Sequence, residues 1–333
     1  MLKESKRRET LNQIGEREIL NRLKKFMDIG QIEDDTATIT TNKKELLINT
    51  DVLVDDVHFN EKTTCPENIG WKAIAANISD LTASGLDQLI GVTVALITPP
   101  DTEWSWVNGV YRGMKEALDI FGGKLLGGDC SQGKQKIISI TAIGSLGPLR
   151  LHRSYAEPGD YLVTSGPHGL SRLGLALLQS EQDCYSENLT EKLKIKAIQA
   201  HQKPFPPYKE LEKLISCKPK DIPWRAAGTD SSDGLLEALN CLSISSNCTL
   251  IIDRTQIPKE KEWPVGSIWE KWCLNGGEDF QLVLSLPPSW ANAWIKLVPF
   301  SKKIGEAKKG KPKIIWQNGQ EIDIEYFSNF KHF

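Results

Sequence analysis

What most constrains this chain is where its aspartates stand, because one apolar run after another ends in acid. Asp34 and Asp35 (IEDDTATI), Asp51 (NTDVLVDDVHF), Asp80 (NISDL), Asp129 (LLGGDCS), and Asp230 and Asp233 (TDSSDGL) fall at the ends of expected strands and helices or at helix starts. A single aspartate in a turn is most often an N-cap or an Asx turn. Seven in such positions point to a shared chemistry. Hard divalent cations bind carboxylate and hydroxyl oxygen, and the loops offer oxygen without any His–Cys pairing, so several Mg2+ ions are the expected occupants.

The hydrophobic periodicities give an α/β chain. ELLINTDVLV, from Glu45, reads as a strand, and PENIGWKAIAANISDLTASG as a helix with Pro66 in its first turn. In that helix Trp71, Ile74, Ile78 and Leu81 form one apolar face, while Asn77, Asp80 and Ser84 make a polar line on another, and Gly85 suits a left-handed cap. Asp80 is therefore expected to face a ligand. The strand LIGVTVALI, a helix from Glu103 to Phe121, a short strand and turn at KLLGGD, and the strand KIISITAIGSLG complete the first half as β-α-β-α-β-β. The pattern breaks over Leu149–Pro158, which sets an expected domain boundary near 150. DYLVTSG opens a second α/β half with a helix from about Leu170 and further helices near 189–200, 207–216, 233–245 and 289–297. CTLIID and the residues after GGED are its other expected strands, and KKIGEAKKGKPK is expected to be a pair of solvated loops. GGD at 127–129 and GGED at 276–279 look like similar strand-to-turn endings, one in each half.

Charge narrows the partners. With 41 basic and 43 acidic residues the net charge is -2, so nothing global recruits nucleic acid or an anionic membrane, and small molecules are expected. Uncharged stretches such as Ile137–Leu149 fall well short of the ~20 residues that span a bilayer. The opening MLKESKRRET has no apolar stretch behind it, so a cytoplasmic location is expected. Seven scattered cysteines without a C-x-x-C read as reduced thiols.

Several metal ions among carboxylates suit phosphoryl transfer between two anions, whose repulsion is ~4 kcal/mol per unit-charge pair at 4 Å and an effective dielectric of 20. The familiar ATP loops are absent. The nearest Walker A match, Gly305-x4-Gly310-Lys311, has Pro312 where a metal-binding Ser or Thr is required and runs into a strand-like KIIWQ. No protein-kinase Gly-rich loop or H-R-D occurs, and no 12-residue EF-hand loop supports a structural Ca2+ role.

In order and approximate spacing, NTDVLVDDVHF, NISDLTASG, LLGGD, RSYAEPGD, TDSSDGL and GGEDF resemble the motifs of the bacterial thiamine-monophosphate kinases, from about Gly30 to the last residue. Any one of them occurs by chance, whereas six in order are specific. The resemblance implies the aminoimidazole ribonucleotide synthetase-like fold, α/β (α+β) in two domains. Residues 1–150 would bind ATP and Mg2+ and dimerise, residues 151–333 would form a C-terminal α/β domain, and the N-terminal domains of a homodimer would pair into a β-barrel. It also implies an activity, ATP-dependent phosphorylation of thiamine monophosphate to thiamine diphosphate by direct transfer. A synthetase of the same superfamily, with like carboxylates and another acceptor pocket, is the nearest rival.

Residue by residue, the resemblance places Asp35, Asn49, Thr50, Asp51, Asp80, Asp129, Asp230 and Asp233 on metal positions, with Asn49 and Thr50 giving backbone or side-chain oxygen. Tyr111, Gly128, Asp129, Arg153 and Ser232 fall on nucleotide contacts, and His58, Glu278 and Phe330 on positions that hold thiamine monophosphate. Asp51, Asp129 and Arg153 are the expected catalytic residues. The chemistry agrees: Arg153 offers a planar fork to phosphate, Glu278 a charge opposite to the thiazolium, and Phe330 an aromatic face. The chain departs from the family at Glu33, where a glycine is usual, and at Cys130 and Tyr155.

Overall fold

The computed structural model describes residues 37–40, 45–185 and 189–322. Its first part runs β1 (Ala37–Thr40), β2 (Glu45–Val54), α1 (Pro66–Ala83), β3 (Leu86–Thr98), α2 (Trp104–Phe121), β4 (Lys124–Gln132) and β5 (Ile137–Leu146). These strands form one sheet in the order β1-β2-β5-β3-β4, antiparallel except for the β3–β4 pair. Alternation sets its two faces. Leu47, Leu53, Ile138, Ile140, Val92 and Val94 point inward and are buried under α1 and α2. The two helices cross in contact because glycines face each other's backbone: a Cβ on Gly70 would lie 1.9 Å from the Val110 carbonyl oxygen, and one on Gly113 1.7 Å from that of Glu67. The opposite face of the sheet is left uncovered by the described residues, with Val52 and Ile90 exposed, and β4 is exposed along its whole length, Leu125 and Leu126 included.

The second part runs β6 (Tyr161–Thr164), α3 (Leu170–Leu178), α4 (Glu191–Gln202), α5 (Tyr208–Ser216), β7 (Ala227–Asp230), α6 (Leu235–Ser246), β8 (Cys248–Ile252), α7 (Ser267–Asn275), β9 (Leu282–Leu286), α8 (Pro288–Leu297), β10 (Lys302–Lys309) and β11 (Lys313–Trp316). Its six-stranded sheet has the order β11-β8-β10-β6-β9-β7, antiparallel except for β11–β8. Both β7 and β9 are buried along their whole length, and β9 accordingly reads as a nearly continuous apolar run.

Three sequence expectations change. KKIGEAKK is no loop: it is β10, seated between β8 and β6, with Ile304 and Ala307 buried and Lys303 and Lys308 paired to Glu306. Lysines on the outward positions hid the alternation, since their stems can lie along a sheet while the ammonium stays wet. GGD lies inside β4, whereas GGED lies in the loop between α7 and β9, so the two are not equivalent endings. The polar line of α1 is not solvated either: Asn77 and Ser84 are buried, and Asn77 Nδ2 bonds the Ala73 carbonyl at 2.9 Å.

Burial on every side marks α1 as the shared element. It packs on α2, on β2 and β5 of the first sheet, and on β7 of the second. Residues 201–208 strap it from the other lobe: Trp71 Nε1 donates to the Pro204 carbonyl at 2.6 Å, and the Gln202 amide to the carbonyl of Thr63. Leu149 and Leu151, with Ala83, enter the core built on β6, β9 and α8. Among the described residues no helix is long and apolar enough to cross a membrane.

Candidate active site

Consecutive residues near the end of α1 bridge the two lobes, Asp80 meeting Asn49 of the first and Ser79 meeting Asp230 of the second. Asn49, inward-facing on β2 and buried, donates through Nδ2 to Asp80 Oδ2 at 2.8 Å. Next to Asp80, Ser79 Oγ donates to Asp230 Oδ2 at 2.5 Å, and the other oxygen of Asp230 accepts from Ser232 Oγ at 2.9 Å. Asp230 is only 3% exposed, at the last position of β7. Asn49, Asp80, Asp230 and Ser232 are therefore drawn together by the docking of α1 between the two sheets.

The unpaired atom in this group is informative. Asn49 Oδ1 is buried with no hydrogen-bond partner, although such an oxygen normally has one. A buried acceptor beside carboxylates and a hydroxyl is an oxygen donor set that fits a hard divalent cation. Among the described residues, no group of three or more His, Cys, Asp or Glu side chains is disposed to hold a metal ion. The donor set is thus mixed, with Asn and Ser oxygens beside the two acids.

Other expected residues fall around it at different depths. Asp51 lies two positions beyond Asn49 on the same face of β2 and is half-buried. Thr50 points to the opposite face, where its hydroxyl pairs with that of Thr141 on β5 at 2.7 Å, so a Thr50 ligand toward Asp80 would have to be its backbone. Arg153 Nε donates to Thr229 Oγ1 at 3.1 Å, one residue before Asp230, and Ser246 Oγ holds the Arg153 carbonyl at 2.7 Å. Asp233 is exposed just before α6.

The β4 group stands apart. Strand register sets Gly128 in the same row as Val94, Ile140 and Asp51, three strand spacings or roughly 14 Å from Asp51. Asp129, one step on, shares its row with Val52 and so faces the open side of the sheet, away from Asn49 and Asp51. Its Oδ2 accepts from Ser131 Oγ at 3.1 Å. A Cβ on Gly128 would lie 1.9 Å from the Val94 carbonyl oxygen, so only glycine lets β4 approach β3 there. Tyr111 of α2 lies beside Cys130 on the inner side, and burial together with that thiol raises its phenol above the usual value.

Of the acceptor residues expected from the sequence, His58 is held within its own lobe and Glu278 by a lysine of the other. His58 Nδ1 accepts from the Val54 N–H at 3.1 Å, closing the turn that ends β2 and leaving the ring proton on Nε2. Glu278 sits at φ +64, paired with Lys72 Nζ at 2.9 Å and with His201 Nδ1 3.3 Å away. Burial alone would raise its carboxyl, but the Lys72 ammonium and the His201 hydrogen bond outweigh that and hold it at about 2. Asp34, Asp35 and Phe330 lie outside the described residues.

Lys72, Ser79 and His201 were missed by sequence reasoning. One signal was present: Lys72 and Ser79 stand seven residues apart, on one face of a helix that is otherwise apolar there. His201, at the end of a helix that reads as ordinary, gave none.

Comparison with known proteins shows the family and the fold. Residues 33–146 match the family model for AIR synthase related protein, N-terminal domain. The chain is 60% identical over 333 residues, 100% of both chains, to a thiamine-monophosphate kinase of Prochlorococcus marinus. It belongs to the thiamine-monophosphate kinase family. A second relative in that family, from Synechococcus elongatus, is 38% identical over 87% of each chain. Among solved structures, AaThiL complexed with AMPPCP and TMP superposes with a TM-score of 0.83 at 28% identity, covering 98% of this chain and 99% of that one. The fold shared across nearly the whole length is the two-sheet α/β arrangement described above.

Proposed function

We infer that this chain transfers the γ-phosphoryl group of ATP to the phosphate of thiamine monophosphate, giving thiamine diphosphate and ADP. The observation that carries this reading is the meeting of Asn49, Asp80 and Asp230 on α1, with a buried acceptor left unpaired, in a chain 60% identical over its full length to a thiamine-monophosphate kinase. The structural relative with AMPPCP and TMP bound supports the choice of both substrates.

The acceptor is a phosphate oxygen already ionised near pH 7, because the second pKa of a phosphomonoester is ~6, so the site needs no strong general base. Catalysis then rests on placement and charge neutralisation. Arg153, anchored by Thr229 beside Asp230, offers its guanidinium to phosphate oxygens. Tyr111, Gly128, Asp129 and Ser232 complete the nucleotide contacts, and His58, Glu278 and Phe330 hold the acceptor. Asp35, Asn49, Asp51, Asp80, Asp230 and Asp233, with the backbone of Thr50, would hold Mg2+, and Asp129, turned to the open face, would hold it apart from Asn49 and Asp51; when bound, the metal supplies charge neutralisation between the ATP phosphates and the acceptor phosphate.

The reading extends to assembly and place. The uncovered face of the first sheet, with Val52 and Ile90 exposed, fits a second copy of the chain better than water, and a homodimer joined there would place Asp129 between protomers. Residues 1–150 and 151–333 are taken as the two domains, and the protein as cytoplasmic.

The test is direct: purified protein is incubated with ATP, Mg2+ and thiamine monophosphate, and the products are separated by anion-exchange chromatography. Thiamine diphosphate in step with ADP is expected. ADP without thiamine diphosphate would move the chain to a different acceptor.

A further inference from the structure

The helix α1 grips the C-terminal lobe at two points, two turns apart. Lys72, 1% exposed, donates to Oε1 and Oε2 of Glu278 at 3.1 and 2.9 Å. Seven residues on, Ser79 Oγ reaches Asp230 Oδ2 at 2.5 Å. Inside the C-terminal lobe the two grips are joined, because the Glu278 N–H donates to the Ser232 carbonyl at 2.7 Å and Ser232 Oγ donates to Asp230 Oδ1 at 2.9 Å. The contacts close a ring, Lys72 to Glu278 to Ser232 to Asp230 to Ser79, whose last side is α1 itself.

Two features make this ring stiff. Glu278 holds φ +64, a conformation that a non-glycine residue keeps only where its surroundings over-determine it. A buried ammonium is costly unless paired, so α1 cannot keep Lys72 in place and release Glu278. His201, itself buried and in contact with Ser171 Oγ at 3.1 Å, backs the carboxylate from the other side.

We propose that Lys72 is a positioning residue of the phosphoryl-transfer site: by fixing Glu278 it sets, through Ser232, the place of Asp230 against Ser79 and Asp80. This rests on the kinase reading and adds to it a residue that acts through others. Burial of Lys72 beneath Glu278 puts it out of reach of a phosphate, which separates it from the lysines that bind nucleotides directly.

Kinetics, thermal melts and calorimetric binding of a non-hydrolysable ATP analogue with Mg2+ test this in wild type, Lys72→Met, Glu278→Gln and the double variant. Lys72→Met should lower kcat and analogue affinity about tenfold or more in the wild-type background, and less than about twofold in the Glu278→Gln background, because its effect passes through Glu278. The double variant buries neither charge alone and should melt cooperatively near wild type. If Lys72→Met alone fails to fold, the comparison of Glu278→Gln with the double variant still decides. Agreement within about twofold, with both about tenfold below wild type in analogue affinity, supports the ring. A double variant well below Glu278→Gln, or analogue affinity at the wild-type level in both, overturns it. Analogue binding does not depend on turnover, so a wild type that binds the analogue yet makes no thiamine diphosphate sinks the acceptor assignment while the coupling still decides the role of Lys72.

Discussion

Gly127 and Gly128 are a matched pair for asking whether the placement of β4 matters to the reaction. Their backbones are nearly alike, at φ +152 and +159, but their surroundings are not. A Cβ on Gly127 meets nothing within 4 Å, whereas one on Gly128 lands 1.9 Å from the Val94 carbonyl oxygen and 2.8 Å from its carbon. Gly127→Ala therefore carries backbone strain alone, ~1–3 kcal/mol. Gly128→Ala carries the same strain plus a collision with main chain, and β4 must retreat by about 1 Å, a misplacement that costs roughly 10²-fold in rate at a reacting centre. The damage should stay local, because among the described residues β4 is an edge strand that pairs with β3 alone. Product formation by chromatography and thermal melting by circular dichroism are measured on both variants. Gly128→Ala should keep a cooperative melt close to that of Gly127→Ala while its kcat falls far below. Equal activity in the two variants would refute the argument that the β3–β4 approach fixes Asp129.

Asp80→Asn and Asp230→Asn should each abolish turnover while leaving the melting temperature near wild type or above it, because removing one carboxylate relieves repulsion in the metal-free protein, and the rise in melting temperature on adding Mg2+ should vanish. Near-full activity in both at saturating Mg2+ would dissolve the cluster. Arg225→Met should destabilise by about 3–5 kcal/mol in denaturant titration, since it strands Asp160, which is 3% exposed and bonded by the guanidinium at 2.7 and 2.8 Å. A loss under about 1 kcal/mol would show that Ser285 and the Glu157 N–H suffice for that carboxylate. For pH, the Glu278 carboxyl stands at about 2 in the fold against an ordinary 4.5. The stability it contributes is complete above about 4.5 and is lost as pH falls toward 2, so wild type should lose stability across that window faster than Glu278→Gln. Parallel pH profiles would contradict the Lys72–Glu278 pairing.

Strong periodicity made most of the fold legible. The strand at Glu45–Val54, the helix from Pro66, the long second helix and the buried strand at 282–286 were all readable, because each repeats its apolar residues at the spacing of its own secondary structure. β10 was hidden by lysines on its outward positions, and β7 by being four residues long and buried on both faces. At the candidate site the acids were legible because seven aspartates at the ends of elements are more than N-caps and Asx turns account for. What joins them was not. Ser79 and Lys72 matter through partners 151 and 206 residues away, and separations of that size follow only from the docking of α1 between two sheets. The sequence also treated the acids as one group, whereas strand alternation turns Asp129 to the open face and leaves Asn49 and Asp51 on the inner one.

Direct passage of one phosphoryl group from ATP to thiamine monophosphate dictates where a γ label must go. Incubation with γ-32P-labelled ATP, Mg2+ and thiamine monophosphate, followed by acid quench and separation of protein from nucleotides and thiamine phosphates, tests it most directly. Label is expected in the terminal phosphate of thiamine diphosphate, in proportion to the ADP formed, and none on the denatured protein, since the acceptor's own ionised phosphate oxygen attacks the γ-phosphorus and no covalent carrier is needed. Label retained on the protein in amounts matching the enzyme, or released as inorganic phosphate with no labelled thiamine diphosphate, would contradict it.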